Sequence, residues 1–502
     1  MKNVIKYLFE KYILIIISGI LLVLPFNYPR LFIVAWIAFI PALHSLRKEK
    51  SLFQGFIKGW LLGIVYMIGI AYWLYFPLRI EGFPVPLIIL MLLILFVLLG
   101  SIYGLWGLIF LKLHDKKTFH PFYFALSWVS IEYFRFLLLW FFPLGYIGYT
   151  QSEFLYFSQG AELGGIFLIS FLVLLINGYL FKLIEYNHKK SLLSLIVLLI
   201  IIFTFGSFRV NRYTDLQNSK IEVGIVQTNL PQKEKWLPEN IEKNIDIIVN
   251  SAYKMEDSNL VIAPESSFTF DFIRNEYFRN KFKEKNEELE TYLQIGSLSI
   301  KKDGGREKYN SLFLISPDNQ IKNRYDKNRL VLFGEYIPLE NLINYLPGLN
   351  LRSLTAYDHI EIFETEAGSW RNVICSEILN PVLLQKNIKK TDFIVNPSNE
   401  AWFHISSLQK QMWKAAIFRA IENRKSVVKS GNIAYNGMVH PAGDYENTPV
   451  QQDSYFTKKI TLNNETTIYQ KWGNFPGYLS LFFLIIFIVF RSIKFYRKKF
   501  SS

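Results

Sequence analysis

Long apolar runs dominate the first two-fifths of the chain. They cover residues 12–27, 31–46, 59–77, 84–111, 121–141, 162–181 and 191–208, and one more follows at 478–490. A helix needs roughly 20 apolar residues to cross a bilayer, so the pattern predicts a polytopic α-helical bundle of about eight spans. The first run is expected to stay with the mature chain. No small-residue cleavage site follows it, and another apolar run begins at once.

Between 209 and 475 the pattern changes to short Ile- and Val-rich runs separated by polar, turn-forming stretches. Residues 220–229, 259–265, 292–300, 311–316, 372–375, 392–397, 426–431 and 437–441 read as strands. Residues 240–255 and 407–424 have apolar positions at helical spacing. Alternating strands and helices over this length predict an α/β domain with a substantial core of its own. The expected division is a seven-helix membrane bundle at 1–208, an α/β domain at 209–475, and a last membrane helix with a basic tail at 476–502. A short linker at 214–220 would join the first two parts. No internal repeat or low-complexity tract stands out.

Charge gives the bundle its orientation. Lys2, Lys6 and Lys11 precede the first span, and Arg47, Lys48, Lys50 and Lys58 lie between the second and third. Lys112, Lys116 and Lys117 follow the fourth, Lys182, Lys189 and Lys190 the sixth, and Arg491, Lys494, Arg497, Lys498 and Lys499 the last. The alternate short loops hold only Arg30 and Arg79. Basic loops face the cytoplasm, so both termini are expected there and the α/β domain on the opposite side of the cytoplasmic membrane. The formal net charge of +14 is therefore a topology signal, and a nucleic-acid partner is not expected. Within the fifth span, Glu132 and Arg135 share a helix face and could pair. They either brace the bundle or line a functional cavity.

Composition narrows the chemistry. The chain is 51% hydrophobic and 17% aromatic, with a single cysteine, Cys375. An intrachain disulfide and a zinc ribbon are excluded. GxSxG, Walker, GxGxxG and HExxH motifs are absent, and His359, His404 and His440, the histidines of the α/β half, are not at metal-ligand spacing. Neither a metal nor an organic cofactor is expected. Three polar residues stand at or just after strand ends, where α/β proteins gather their sites. Glu265 closes 259–265, Cys375 closes 372–375, and Lys327 follows 311–316 in a polar loop. Taken singly, a strand-end Glu is usually a surface residue, a loop Lys is usually solvated, and a lone Cys is a small core residue or a reactive thiol. Together they form a nucleophilic set. A Cys thiolate can attack an ester or amide carbonyl, and a Lys cation can lower the thiol pKa and steady the oxyanion. A carboxylate can move the protons, and the N–H of Ser376 could add an oxyanion donor.

The strings VQTNLPQKEKW, VIAPES, YNSLF, YDKNRLVLFGEYIPLE, VICSE and NPSNEAWF together resemble the nitrilase superfamily, specifically its membrane branch, apolipoprotein N-acyltransferase. GWLLGIVYMIGIAYWLY and ALSWVSIEYFR with FPLGYIGYTQSE resemble that family's membrane helices, so the likeness covers nearly the whole chain. The resemblance implies a nitrilase-like αββα sandwich on the bundle. It also implies transfer of an acyl chain from a phospholipid donor, through a Cys thioester, to the α-amino group of the diacylglyceryl-cysteine that begins a lipoprotein. By the same resemblance Glu265 matches the general base, Lys327 the lysine and Cys375 the nucleophile. Glu335 matches a glutamate contacting the lysine, and Glu377 the second acid beside the cysteine. Trp236, Asn310 and Arg135 match positions tied to activity or substrate contact, and Asn399 and Trp402 a motif near the site.

The chain departs from the family pattern at Ala263, Leu332 and Ser376, which replace an aromatic, a proline and a tyrosine, and at 431–437. None of these removes a member of the triad. Residues 268–278 and 342–354 combine aromatic and charged residues and could be interfacial lids or ordinary packing. Two other enzymatic readings stand beside the resemblance: a membrane-tethered amidase with water as acceptor, and an acyltransferase for another amine. A transporter or a non-catalytic scaffold is the reading from a different class. Multiple spans favour substrates that arrive through lipid, and an intact triad speaks against a scaffold.

Overall fold

The computed structural model describes residues 2–114, 119–139, 142–214, 216, 218–300, 307–331, 334–336, 340, 353–450 and 454–500. Leu332 and residues 342–352 of the second candidate lid lie outside these. The chain divides into two compact units, Met1–Asn211 with Thr467–Ser502, and Arg212–Thr466.

Among the described residues, six segments are long and apolar enough to cross a membrane: Glu10–Asn27, Pro29–Arg47, Leu52–Ile80, Val85–Leu113, Ala161–Tyr186 and Lys190–Thr214. The Pro121–Leu138 helix belongs to the first unit but carries the buried Glu132 and Arg135. Phe475–Phe500 is helical, with an apolar stretch at Phe475–Arg491. The expected span at 31–46 is not one helix. It is a 3-10 segment, Pro29–Trp36, followed by the Ile40–Arg47 helix, with Leu31 outside helical geometry. Pro29 and Pro41 have no N–H to give, and freed backbone groups in an apolar setting need other partners. Asn177 supplies them: its Nδ2 donates to Ala35 O at 2.7 Å and its Oδ1 accepts from Phe39 N at 3.1 Å. Ser18 Oγ accepts from Ala42 N at 2.8 Å.

The Leu52–Ala71 and Val85–Leu113 helices meet along glycines. A Cβ on Gly107 would lie 2.1 Å from Gly55 O, and one on Gly59 would lie 2.3 Å from Tyr103 O. Small residues at four-residue spacing let the backbones touch, which is how helices associate where water gives no hydrophobic push. Glu132 and Arg135 do not pair with each other. Glu132 Oε1 accepts from Trp128 Nε1 (3.1 Å) and Ile147 N (2.8 Å). Arg135 lies over the Tyr146 ring and donates to the carbonyls of Phe142, Leu144 and Gly145. The non-helical stretch 142–147 exposes backbone groups, and these outbid the i+3 neighbour.

The second unit is built on two sheets. The first holds β1 (Lys220–Gln227), β2 (Leu260–Ile262), β3 (Phe268–Asp271), β4 (Tyr292–Ile300), β5 (Lys308–Ile315), β6 (Ile321–Asp326) and β13 (Ser454–Thr461), in the order β13-β1-β2-β4-β5-β6. The second, in the order β12-β11-β10-β9-β8-β7, holds β7 (Ile362–Thr365), β8 (Gly368–Asn372), β9 (Phe393–Asn399), β10 (Ser426–Asn432), β11 (Asn436–Val439) and β12 (Tyr445–Thr448). The sheets face each other. Trp370 of β8 donates to Gln294 of β4 at 2.8 Å, and Ser430 Oγ of β10 reaches the carbonyls of Val226 and Ile262. The Ile241–Tyr253 and Glu276–Lys285 helices pack on the first sheet over a core of Ile245, Ile248, Val261, Phe268, Leu293 and Phe313, and the Ser407–Asn423 helix packs on the second. This is the expected α/β sandwich. Phe268, Phe270 and Phe272 belong to the core, so residues 268–272 are interior packing rather than an interfacial lid.

Candidate active site

Glu265 stands in a gap between two strands of the first sheet. β2 and β3 both run parallel to β4 on the same side, and residues 263–267 form the interruption between them. Ser266 takes φ +49 there, a conformation costly for any residue but glycine. Ser267 bridges the gap with its hydroxyl, which donates to Gly296 O at 3.2 Å and accepts from Gly296 N at 3.1 Å. Gly296 makes room: a Cβ there would lie 2.5 Å from Ser266 N and 2.9 Å from Glu265 Cα.

Lys327 follows β6 and is almost fully buried. Its Nζ donates to Glu265 Oε1 at 3.1 Å and to Glu335 Oε1 at 2.9 Å. Asn310, from β5, spans the same two carboxylates, with Nδ2 2.7 Å from Glu265 Oε1 and 2.9 Å from Glu335 Oε1. Asn399 N, at the end of β9, donates to Glu265 Oε2 at 2.7 Å. Burial alone would push the Glu265 carboxyl up, but Lys327, Asn310 and Asn399 together hold it below the usual carboxylate range. Burial works against the Lys327 cation, yet Glu265 and Glu335 keep it well above the usual lysine range.

Cys375 opens a 3-10 turn, Cys375–Leu379, just past β8. The strand expected at 372–375 ends at Asn372, with one further ladder bond from Val373 N to Val395 O at 2.9 Å. Cys375 has φ +50 and is 7% exposed. Burial and then the Glu265 carboxylate push its thiol well above the ordinary range, and the opposing pull of Lys327 does not overcome them. Lys327 pulls the thiol down, as the sequence leads one to expect, but burial outweighs that pull. The resting thiol is protonated, and a base must remove the proton.

Glu377 joins the two loops that carry these groups. Its Oε1 accepts from Asn328 N (2.7 Å) and Arg329 N (2.9 Å), directly after Lys327. Its Oε2 accepts from Ile374 N (2.7 Å), directly before Cys375, and from Tyr325 Oη (2.8 Å). Its carboxylate is taken up by three backbone N–H groups and the Tyr325 hydroxyl. The assembled group is a protonated thiol, a charged carboxylate and a charged lysine, buried and cross-linked. Such a group can move a proton, attack a carbonyl and stabilise an oxyanion.

Comparison with known proteins agrees with this geometry. The family model for the apolipoprotein N-acyltransferase N-terminal domain matches residues 18–179, and that for carbon-nitrogen hydrolase matches residues 222–456. An apolipoprotein N-acyltransferase of Geobacter metallireducens is 29% identical over 481 residues, covering 92% of each chain. That of Haemophilus influenzae is 26% identical over 498 residues, covering 95% of this chain and 94% of its own. The chain belongs to the apolipoprotein N-acyltransferase family. Among solved structures, a CN-hydrolase superfamily protein of Xanthomonas campestris is 16% identical and covers 48% of this chain and 91% of its own, at a TM-score of 0.39.

The remaining residues singled out in the sequence divide into two groups. Trp236, Asn399 and Trp402 converge on one amide, Gln232. Asn399 Nδ2 lies 2.9 Å from it, and with its oxygen turned to the indoles it accepts from Trp236 Nε1 at 2.5 Å and Trp402 Nε1 at 3.2 Å. Trp236 is 37% exposed and so stands at the rim of this cluster. Ser376 is half-buried, second in the turn that Cys375 opens. Arg135 lies in the other unit, with its contacts there. Sequence reasoning missed Gln232 and Lys235, although both lie in a string quoted for the resemblance. Lys235 is buried and donates to Glu265 O at 3.1 Å. The signal was there: a polar run, Gln232 to Lys235, directly before a tryptophan and just after an apolar strand.

Proposed function

We propose that this membrane protein is a phospholipid-dependent acyltransferase that acylates the α-amino group of the N-terminal diacylglyceryl-cysteine of lipoproteins, through a thioester on Cys375. The observation that carries the reading is the buried Glu265–Lys327–Glu335 network beside a protonated cysteine, in a chain with six segments apolar enough to span a membrane.

Glu265 takes the Sγ proton, and the sulfur attacks the ester carbonyl of the donor lipid. The oxyanion forms against Lys327 and the Ser376 N–H. Collapse breaks the ester C–O bond, and Glu265 returns its proton to the departing lysophospholipid oxygen. The acceptor amine, with an unperturbed pKa of about 8, then attacks the thioester. Glu265 removes the amine proton, the C–S bond breaks, and the thiol is restored. Glu335 and Asn310 keep Lys327 and Glu265 in register, and Glu377 keeps the two loops together. Trp236 and Trp402 shape the approach to the carbonyl. The catalytic unit works on the outer side of the cytoplasmic membrane, with both chain ends inside.

Purified protein incubated with phospholipid alone should gain one acyl chain by intact mass. The adduct should be lost to hydroxylamine and should not appear on Cys375→Ala. Addition of a diacylated lipopeptide should then discharge it onto the peptide amine. A folded wild-type protein that never gains the adduct would overturn the reading in favour of a membrane-held amidase, and discharge to water alone would make the protein a phospholipid ester hydrolase.

A further inference from the structure

A second buried ion pair lies behind the cysteine and takes no part in the steps above. Lys429, in β10, and Asn396, in β9, are register partners at the centre of the second sheet. Lys429 Nζ lies 2.6 Å from Glu400 Oε1, 2.7 Å from Ser398 Oγ and 3.3 Å from Asn396 Oδ1. Lys429, Glu400 and Asn396 are all fully buried. Asn396 passes the contact on, with Nδ2 donating to Val373 O at 2.7 Å and to Cys375 O at 3.2 Å. The chain of contacts therefore ends on the backbone of the residue at φ +50. A buried ion pair costs desolvation that a hydrophobic pair of the same volume would avoid. Its presence one residue-layer beneath a strained cysteine calls for a use.

We propose that Glu400 and Lys429, acting through Asn396, are positioning residues for Cys375: they hold its left-handed backbone and set the field in which its thiol ionises. The proposal rests on Cys375 being the nucleophile. The charged groups around the thiol are Glu265 and Lys327 from the first sheet's side, Glu400 just after β9, Lys429 from β10, and Glu377 on its own turn with Arg371 behind it. Tyr435 also faces Glu400. Glu400 opposes thiol ionisation and Lys429 favours it, so the two charges of the pair act on the thiol in opposite directions.

This opposition makes the idea testable without lipid. Cys375 is the lone cysteine, so alkylation of the full chain by iodoacetamide reports on it alone. Below the thiol midpoint the rate follows the thiolate fraction, about tenfold per pH unit. At a fixed pH of about 8.5, Glu400→Gln should be alkylated several-fold faster than wild type and Lys429→Met several-fold slower. The double substitution should return toward wild type, and Lys429→Arg should stay close to it. A pair that serves only to hold the fold would change both single variants in the same direction, and that result overturns the proposal. Should either single variant fail to fold, Asn396→Ala keeps the charges and cuts the link to Cys375. It should be alkylated with an altered rate, and a wild-type rate there overturns the positioning role. Because no lipid or acceptor is involved, this outcome is separate from whether the acyl adduct forms.

Discussion

Glu265 has the character of a base that is always ready. Burial opposes its charge, but the Lys327 cation, the Asn310 amide and the Asn399 N–H overcome that opposition. Its folded pKa lies below the ~4.3 of a free glutamate, so the acid limb of Cys375 acylation should fall below that value, and Glu265→Gln should abolish the limb. The same substitution should slow acylation by about 10²–10⁴-fold, the range for loss of a general base. Single-turnover acylation against pH checks both points, and an acid limb near neutrality would mean that another group is the base. Lys235 carries the opposite sign. Burial lowers its pKa to about 8, against ~10.4 for an unfolded lysine. Below pH 8 the folded protein must hold a charge it disfavours. As pH rises from 8 toward ~10.4 the unfolded chain binds more protons than the folded one, so folding gains stability. Lys235→Met removes this penalty, roughly 3 kcal/mol at its largest, and also the hydrogen bond to Glu265 O. The melting temperature of wild type relative to Lys235→Met should therefore rise between about pH 7.5 and pH 9.5. A gap that does not move with pH would remove Lys235 as a titrating group.

At the scale of elements, the gap between β2 and β3 decides where the base sits. Gly296, on the neighbouring β4, is the residue that permits the gap, because a Cβ would strike the backbone of Pro264, Glu265 and Ser266. Gly296→Ala should displace Glu265 relative to Lys327 and lower acylation by on the order of a hundredfold, with circular dichroism unchanged. Full activity would show that the interruption tolerates movement. Asn177→Leu, at the break after Trp36, should lower the melting temperature, since the carbonyl of Ala35 and the N–H of Phe39 would lose their partners. These elements also show what was legible beforehand. β1, β4, β5, β9 and β10 follow from alternation and Ile/Val content, and so does the Ser407–Asn423 helix. β3 was hidden because its two phenylalanines, with Phe272 just after them, read as an interfacial segment. The 3-10 segment at Pro29–Trp36 was hidden because hydropathy reports apolarity, not backbone continuity. The first layer of the site could be read from strand-end positions and the family resemblance. The Lys429–Glu400 pair could not, because local sequence does not distinguish a buried lysine from a solvated one.

For the whole molecule, the lone cysteine makes the topology easy to test. By the charge rule the basic loops predict both termini in the cytoplasm and the catalytic unit outside, and this orientation is part of the proposal. A Cys375→Ala background has no other thiol, so any cysteine added to it is a single reporter. Glu284 lies on an exposed turn of the Glu276–Lys285 helix in the catalytic unit, and Lys189 is exposed between the Ala161–Tyr186 and Lys190–Thr214 helices. In intact cells with the outer barrier made permeable, a charged maleimide that cannot cross the cytoplasmic membrane should label Glu284→Cys. It should label Lys189→Cys only after that membrane is broken. The physical basis is the cost of carrying lysines across: Lys182, Lys189 and Lys190 cluster at one end of two apolar helices, and the charge rule keeps such clusters inside. Labelling of both positions from outside, or of Lys189→Cys alone, would reverse the orientation. It would also move the acyl-transfer chemistry to the cytoplasmic face, against the proposed arrangement.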